Sequence, residues 1–93
     1  MIVSFKDRVT EAVFNGRAPK RFPAGIERVA RRKLRLLDAA KTLGDLRSPP
    51  GNRLHPLERE RLGQHAISVN DQFRICFQWT DAGPADVEIT DYH

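Results

Sequence analysis

Three neighbours late in the sequence, Asp91-Tyr92-His93, set a carboxylate, a phenol and an imidazole side by side. These groups cover acceptor, proton-donor and near-neutral proton-transfer roles. Farther up the chain His55 adds a second imidazole, and Arg53 and Arg74 add guanidinium groups. Metal-free cleavage of a phosphodiester beside a 2′-hydroxyl needs three such functions. A base takes the hydroxyl proton, a cation steadies the extra charge on phosphorus, and an acid protonates the leaving 5′-oxygen. Imidazole suits both proton transfers near neutral pH, and arginine suits the phosphate. The attacking group belongs to the substrate, so no protein nucleophile is required. Each residue also has an ordinary use: a surface histidine, a strand arginine that solvates a sheet face, a polar tail.

Other chemistries find less support. These residues include no CxxC, no HExxH and no carboxylate pair at helical spacing, and the chain has no glycine-rich phosphate loop. Cys76 is the single cysteine, and a lone strand thiol is more often packing than nucleophile. This reading therefore calls for no metal and no cofactor. The 93 residues suit one domain with a compact core. At 40% hydrophobic and 30% charged residues, the composition is that of a soluble globular protein. No apolar run approaches the ~20 residues of a membrane span. Met1-Ile2-Val3-Ser4-Phe5 is too short, and lacks the basic start, for a signal peptide. A single cysteine and no leader point to a reducing cytoplasm. Sixteen Lys and Arg against 12 Asp and Glu give a net charge of +4, which favours a polyanionic partner.

The elements that must carry these groups can be read from periodicity. Ile2, Val3 and Phe5 suggest a short first strand. Residues 6–15 suggest a helix with Val9, Ala12 and Val13 on one face, stopped by Asn15-Gly16. Residues 17–25 hold Pro19 and Pro23 and read as a loop. Residues 24–43 form the strongest helical stripe, with Gly44 as its C-cap. The same segment carries Arg28, Arg31, Arg32, Lys33 and Arg35. That cluster is either a solvated face or a surface for an acidic partner or an RNA backbone. Ser48-Pro49-Pro50-Gly51 breaks the pattern, and alternation takes over. Residues 53–57 alternate, with Pro56 favouring an edge. Residues 58–63 form a charged loop. Residues 65–69 and 72–79 are strands joined at Asn70-Asp71. Gly83-Pro84 makes the next turn before a last strand opened by Val87 and Ile89. The expected fold is α+β: a small antiparallel sheet with two or three helices packed on one face.

Parity then sorts the side chains. With Phe73, Ile75 and Phe77 under the helices, Arg74 and Cys76 point to the open face. With Val87 and Ile89 in the core, Glu88, Thr90 and Tyr92 join them. With Leu54 inward, Arg53 and His55 face the same way. Asp91 and His93 are expected at the rim.

The stretches that carry these groups resemble a known family. Arg53-Leu54-His55-Pro56-Leu57, Ile67-Ser68-Val69-Asn70, Phe73-Arg74-Ile75 and Asp91-Tyr92-His93 look like the HigB-type toxins of bacterial type II toxin–antitoxin systems, in the RelE superfamily. So does Leu36-Leu37-Asp38-Ala39-Ala40, and the likeness covers essentially the whole chain. It implies a RelE-like microbial RNase fold. It implies an endoribonuclease that cuts mRNA in the decoding site of the 30S ribosome. It also implies a helix-turn-helix antitoxin, through which alone the protein would meet operator DNA, and no membrane partner. The family's motif carries active-site roles onto His55, Asp91, Tyr92 and His93, and the phosphate onto Arg74. Arg53, Arg28, Arg31, Arg32 and Arg35 are the expected contacts to RNA or ribosome. Two other readings share the fold: a toxin with another target such as DNA gyrase, and a non-catalytic ribosome- or RNA-binding inhibitor. Which histidine is acid and which is base stays open at this level.

Overall fold

The computed structural model of the protein describes residues 1–91. Helix α1 spans Arg8–Phe14 and α2 spans Glu27–Ala39. Four strands follow: β1 His55–Pro56, β2 His65–Ser68, β3 Phe73–Thr80 and β4 Gly83–Asp91. They pair antiparallel in chain order, β1-β2-β3-β4, so short β1 with its proline lies at one edge. The helices pack on one face, as the alternation requires. Val13, Ala30, Leu34 and Leu37 meet Ile67, Ile75, Phe77 and Val87 in a single apolar core. Burying Phe77 alone is worth about 1.5–3 kcal/mol. Among the described residues no helix is long and apolar enough to cross a membrane.

The other edge of the sheet is closed by the start of the chain. The first residues do not form the expected strand; Phe5 makes one parallel bridge to Val87. Around it the Val3 amide donates to the Pro84 carbonyl at 2.7 Å, and the Val87 amide to Ser4 O at 3.1 Å. Helix α1 completes the closure. Its buried face is set by Thr10 and Val13, whereas Val9, expected inside, is 45% exposed. The Thr10 hydroxyl accepts the Ile89 amide at 3.0 Å and donates to Asp7 at 3.1 Å. An unpaired β4 amide thus finds a partner, which explains why a threonine takes the inward position. Asp7 also caps α1 by accepting the Thr10 amide at 2.7 Å.

Helix α2 is shorter than its stripe suggests. It ends at Ala39, and Gly44 lies inside a 3-10 turn, Leu43–Arg47, rather than at a C-cap. The cause is a reciprocal cap. The Asp45 carboxylate accepts the Lys41 and Thr42 amides at 2.9 and 3.0 Å, and the Thr42 hydroxyl accepts the Asp45 amide at 3.2 Å. Those donors hold the Asp45 carboxyl below its usual range. Lys33 also departs from a solvated face. It is 7% exposed and donates to the side chain of Asn52, which in turn donates to the carbonyls of Leu46 and Ser48. This tie fastens α2 to the loop ahead of β1.

The last hairpin differs in one respect from its sequence reading. Gly83 and Pro84 pair with Thr80 and Trp79, so they open β4 and the turn lies at Asp81-Ala82. Gly83 has φ +129°, and a Cβ there would lie 2.2 Å from the Met1 carbonyl oxygen. Between the pairs Cys76–Glu88 and Gln78–Ala85, β3 holds Phe77 alone while β4 holds Asp86 and Val87. The extra residue is a bulge with Asp86 at φ +52°. It switches parity, so Pro84 and then Val87 both face the core. The β2–β3 turn is as expected: the Asn70 side chain accepts the Gln72 and Phe73 amides at 2.8 and 2.7 Å.

Two stability measurements check this account. Thr10→Val keeps the shape but leaves the Ile89 amide without its acceptor. Urea unfolding should show a loss of about 1–3 kcal/mol, and Thr10→Ser a smaller one. Lys33 is held below its usual pKa, first by burial and then by the Arg32 charge. The folded state therefore binds fewer protons than the unfolded one between that lowered value and about 10.5. Stability from this group rises with pH across that window. The stability of wild type relative to Lys33→Met should increase from neutral to alkaline pH; a flat difference would contradict the burial of a charged amine.

Candidate active site

The open face of the sheet is built in rows, because cross-strand partners share a face. One row is Ser68, Arg74 and Thr90. Arg74 is half-buried and its Nε donates to the Thr90 hydroxyl at 3.4 Å. Thr90 Oγ1 also lies 3.5 Å from Cys76 Sγ. Ser68 is buried beside Arg74 on β2. The guanidinium is therefore placed from a central strand and steadied by its neighbour strand. That is a rigid mount for a phosphate-binding cation.

The next row is His55, Ala66, Cys76 and Glu88. Parity put Cys76 on this side correctly, but the thiol is fully buried with Ala66 beneath Leu57. The roof comes from the loop between β1 and β2. There Arg61 donates to Glu88 at 3.1 Å and to Gln64 at 3.2 Å. The Ala66–Cys76 part of the expected open face is thus covered, and the Arg74 row lies next to it. Ser68, Arg61 and Glu88 lie outside the site residues expected from sequence. Ser68 could have been found by parity with Ala66. Arg61 could not, since its partner is 27 residues away.

His55 stands on the edge strand, half-buried. Its Nδ1 lies 2.8 Å from the Arg53 carbonyl oxygen. A carbonyl only accepts, so Nδ1 carries the hydrogen and the neutral ring presents Nε2. The ring lines a hollow of about 190 Å³ with Arg47, Leu54 and His65. By sheet spacing its Cα is roughly 11 Å from that of Arg74. The structure thus places the two on one sheet without bringing them into contact. His65 has a structural role: its ring stacks on Phe77 at 6.3 Å. Arg53 is exposed, with φ +49°, and lines a shallow hollow with Ser68 and Asn70. Asp91 pairs with Phe73, so its side chain leaves the sheet on the side opposite to Arg74. Tyr92 and His93 lie outside the described residues.

The helix cations separate into two groups. Arg31 bonds Glu27 at 2.7 Å and the Val13 carbonyl at 3.0 Å, which ties α2 to the end of α1. Arg28, Arg32 and Arg35 are exposed.

The sequence profile of the RelE-like toxin of type II toxin-antitoxin system HigB matches residues 3–93. The chain belongs to this family. Among HigB relatives, Toxin HigB-1 of Vibrio cholerae is 43% identical, over 87% of this chain and 86% of its own. Endoribonuclease HigB of Proteus vulgaris is 32% identical over the full length of both chains. The four-stranded antiparallel sheet with two helices on one face agrees with the fold that the resemblance implied. Membership in a HigB toxin–antitoxin family also implies an antitoxin partner.

Proposed function

We propose that this HigB-family toxin is an endoribonuclease that cuts mRNA on the ribosome and so stops translation. The observation that carries the reading is Arg74: a half-buried guanidinium on a central strand, held by Thr90 one residue before Asp91-Tyr92-His93. The Proteus vulgaris relative, an endoribonuclease by name, aligns along the whole chain and supports the same activity.

In the proposed reaction a base removes the 2′-hydroxyl proton and the 2′-oxygen attacks phosphorus. Arg74 stabilises the added negative charge. The bond from phosphorus to the 5′-oxygen breaks, and an acid supplies that oxygen with a proton. The products are a 2′,3′-cyclic phosphate and a free 5′-hydroxyl. His55 and His93 divide the two proton transfers. The Nδ1 contact to Arg53 leaves His55 Nε2 to accept a proton, which supports His55 as the base and His93 as the acid. Tyr92 orients substrate and imidazole, and Arg53 meets the RNA beside Ser68; Asp91, whose side chain leaves on the other face, takes no direct part. Arg28, Arg32 and Arg35 offer charge to a polyanion in the 30S decoding site, whereas Arg31 is already engaged within the fold. A helix-turn-helix antitoxin holds the toxin in check and makes the contact to operator DNA.

The test is end-mapping of mRNA on programmed ribosomes incubated with purified protein. Cuts that carry 2′,3′-cyclic phosphate ends are expected. Arg74→Ala should slow them by roughly 100-fold or more while leaving the protein folded. Arrested translation on intact mRNA, or undiminished cutting by Arg74→Ala, would contradict the proposal.

A further inference from the structure

The exposed side of α2 holds a groove whose apolar floor the catalytic reading leaves unused. Arg32, Lys33, Arg35, Leu36 and Ala39, with Pro49 across from them, line an open groove of about 430 Å³. The helix positions recur at three- and four-residue steps, so they form one stripe. Its floor is apolar: Leu36, Ala39, Pro49 and the stem of Lys33, whose ammonium turns inward to Asn52. Charge reaches the groove from Arg32 and Arg35 alone. Both are exposed, and among the described residues neither guanidinium has a hydrogen bond or ion pair. At i,i+3 the two cations are neighbours on the helix and repel each other. The Arg32 charge also bears on the buried Lys33 amine. An anion at this rim would relieve both strains.

The shape separates the candidate anions. An RNA backbone gains from the arginines but has little use for an apolar floor. An amphipathic peptide that carries carboxylates beside apolar side chains matches floor and rim together. Membership in a toxin–antitoxin family supplies a protein partner, the antitoxin. We propose that this groove seats an acidic, amphipathic segment of the cognate antitoxin. Its apolar side chains lie on Leu36, Ala39 and Pro49, and its carboxylates face Arg32 and Arg35. The inference rests on the toxin reading for the existence of that partner and is independent of the catalytic roles. Because the helices and the Arg74 row lie on opposite faces of the sheet, the antitoxin binds here without entering the site.

The test uses the full-length cognate antitoxin, titrated against the toxin by calorimetry. Ala39→Glu puts a carboxylate on an exposed floor position, and Leu36→Glu does so deeper in the groove. Each variant is first checked for the wild-type circular dichroism spectrum. The antitoxin Kd should rise at least tenfold in both, while Ala39→Glu cuts ribosome-bound mRNA within twofold of wild type. Arg35→Glu should weaken the complex as well. Unchanged antitoxin affinity in folded Ala39→Glu would overturn the proposal, and so would loss of cutting with affinity intact, which would assign the groove to ribosomal RNA. If wild-type protein cuts no mRNA, the catalytic reading falls, and the affinities still decide the groove.

Discussion

Everything proposed for the open face depends on how the outer edge of β4 is held. That strand leads directly into Asp91-Tyr92-His93, and an edge strand with free amides invites slippage and foreign pairing. Here the edge is closed twice. The first six residues lie along it as a parallel segment, and the Thr10 hydroxyl takes the Ile89 amide. The bulge at Asp86 then fixes parity for the rest of β4. With the register set, Thr90 falls beside Arg74 and Glu88 beneath Arg61. A slip of one residue would send each of these groups to the opposite face.

The same constraint explains the division of the functional face. Under the β1–β2 loop the sheet keeps a small apolar cluster of Leu57, Ala66 and Cys76, closed by the Arg61–Glu88 pair. Past it, the row of Ser68, Arg74 and Thr90 sits at the end of the sheet nearest the Asn70 turn. A cation mounted this way requires little reorganisation when negative charge appears, which is the property phosphoryl chemistry asks of it. The helices keep to the other side, where their own cations serve different ends. Arg31 joins α2 to α1, Lys33 joins α2 to the loop before β1, and Arg32 and Arg35 remain at a groove.

Alternation in residues 72–79 and 87–90 was enough to place Arg74, Thr90 and Glu88 on one face, because a strand has a strict period of two. The Asn70 turn and the edge position of Pro56 were equally legible. What escaped was set by partners far along the chain. Val9 and Thr10 compete for the inward position of α1, and the choice falls to an amide 79 residues later. Lys33 reads as one more surface cation until Asn52 is brought beneath it. The end of α2 was written locally, in the Thr42–Asp45 cap, but a long apolar stripe outweighed it. The bulge at Asp86 carries no mark of its own, and neither does the roof that Arg61 closes. Asp91 illustrates the limit of reading a motif as a unit. Adjacent residues of a strand point to opposite faces, so its side chain leaves on the side away from Arg74.

In the proposed function, RNA phosphate is received by the Arg74 row. It can be tested directly by NMR of the isotopically labelled protein, titrated with a 2′-O-methyl RNA trinucleotide that cannot be cut. Saturable shifts of the Arg74 side-chain Nε–H and of the Ser68 and Thr90 amides are expected, with the α2 groove unmoved. Shifts confined to α2, with the Arg74 row silent, would contradict it.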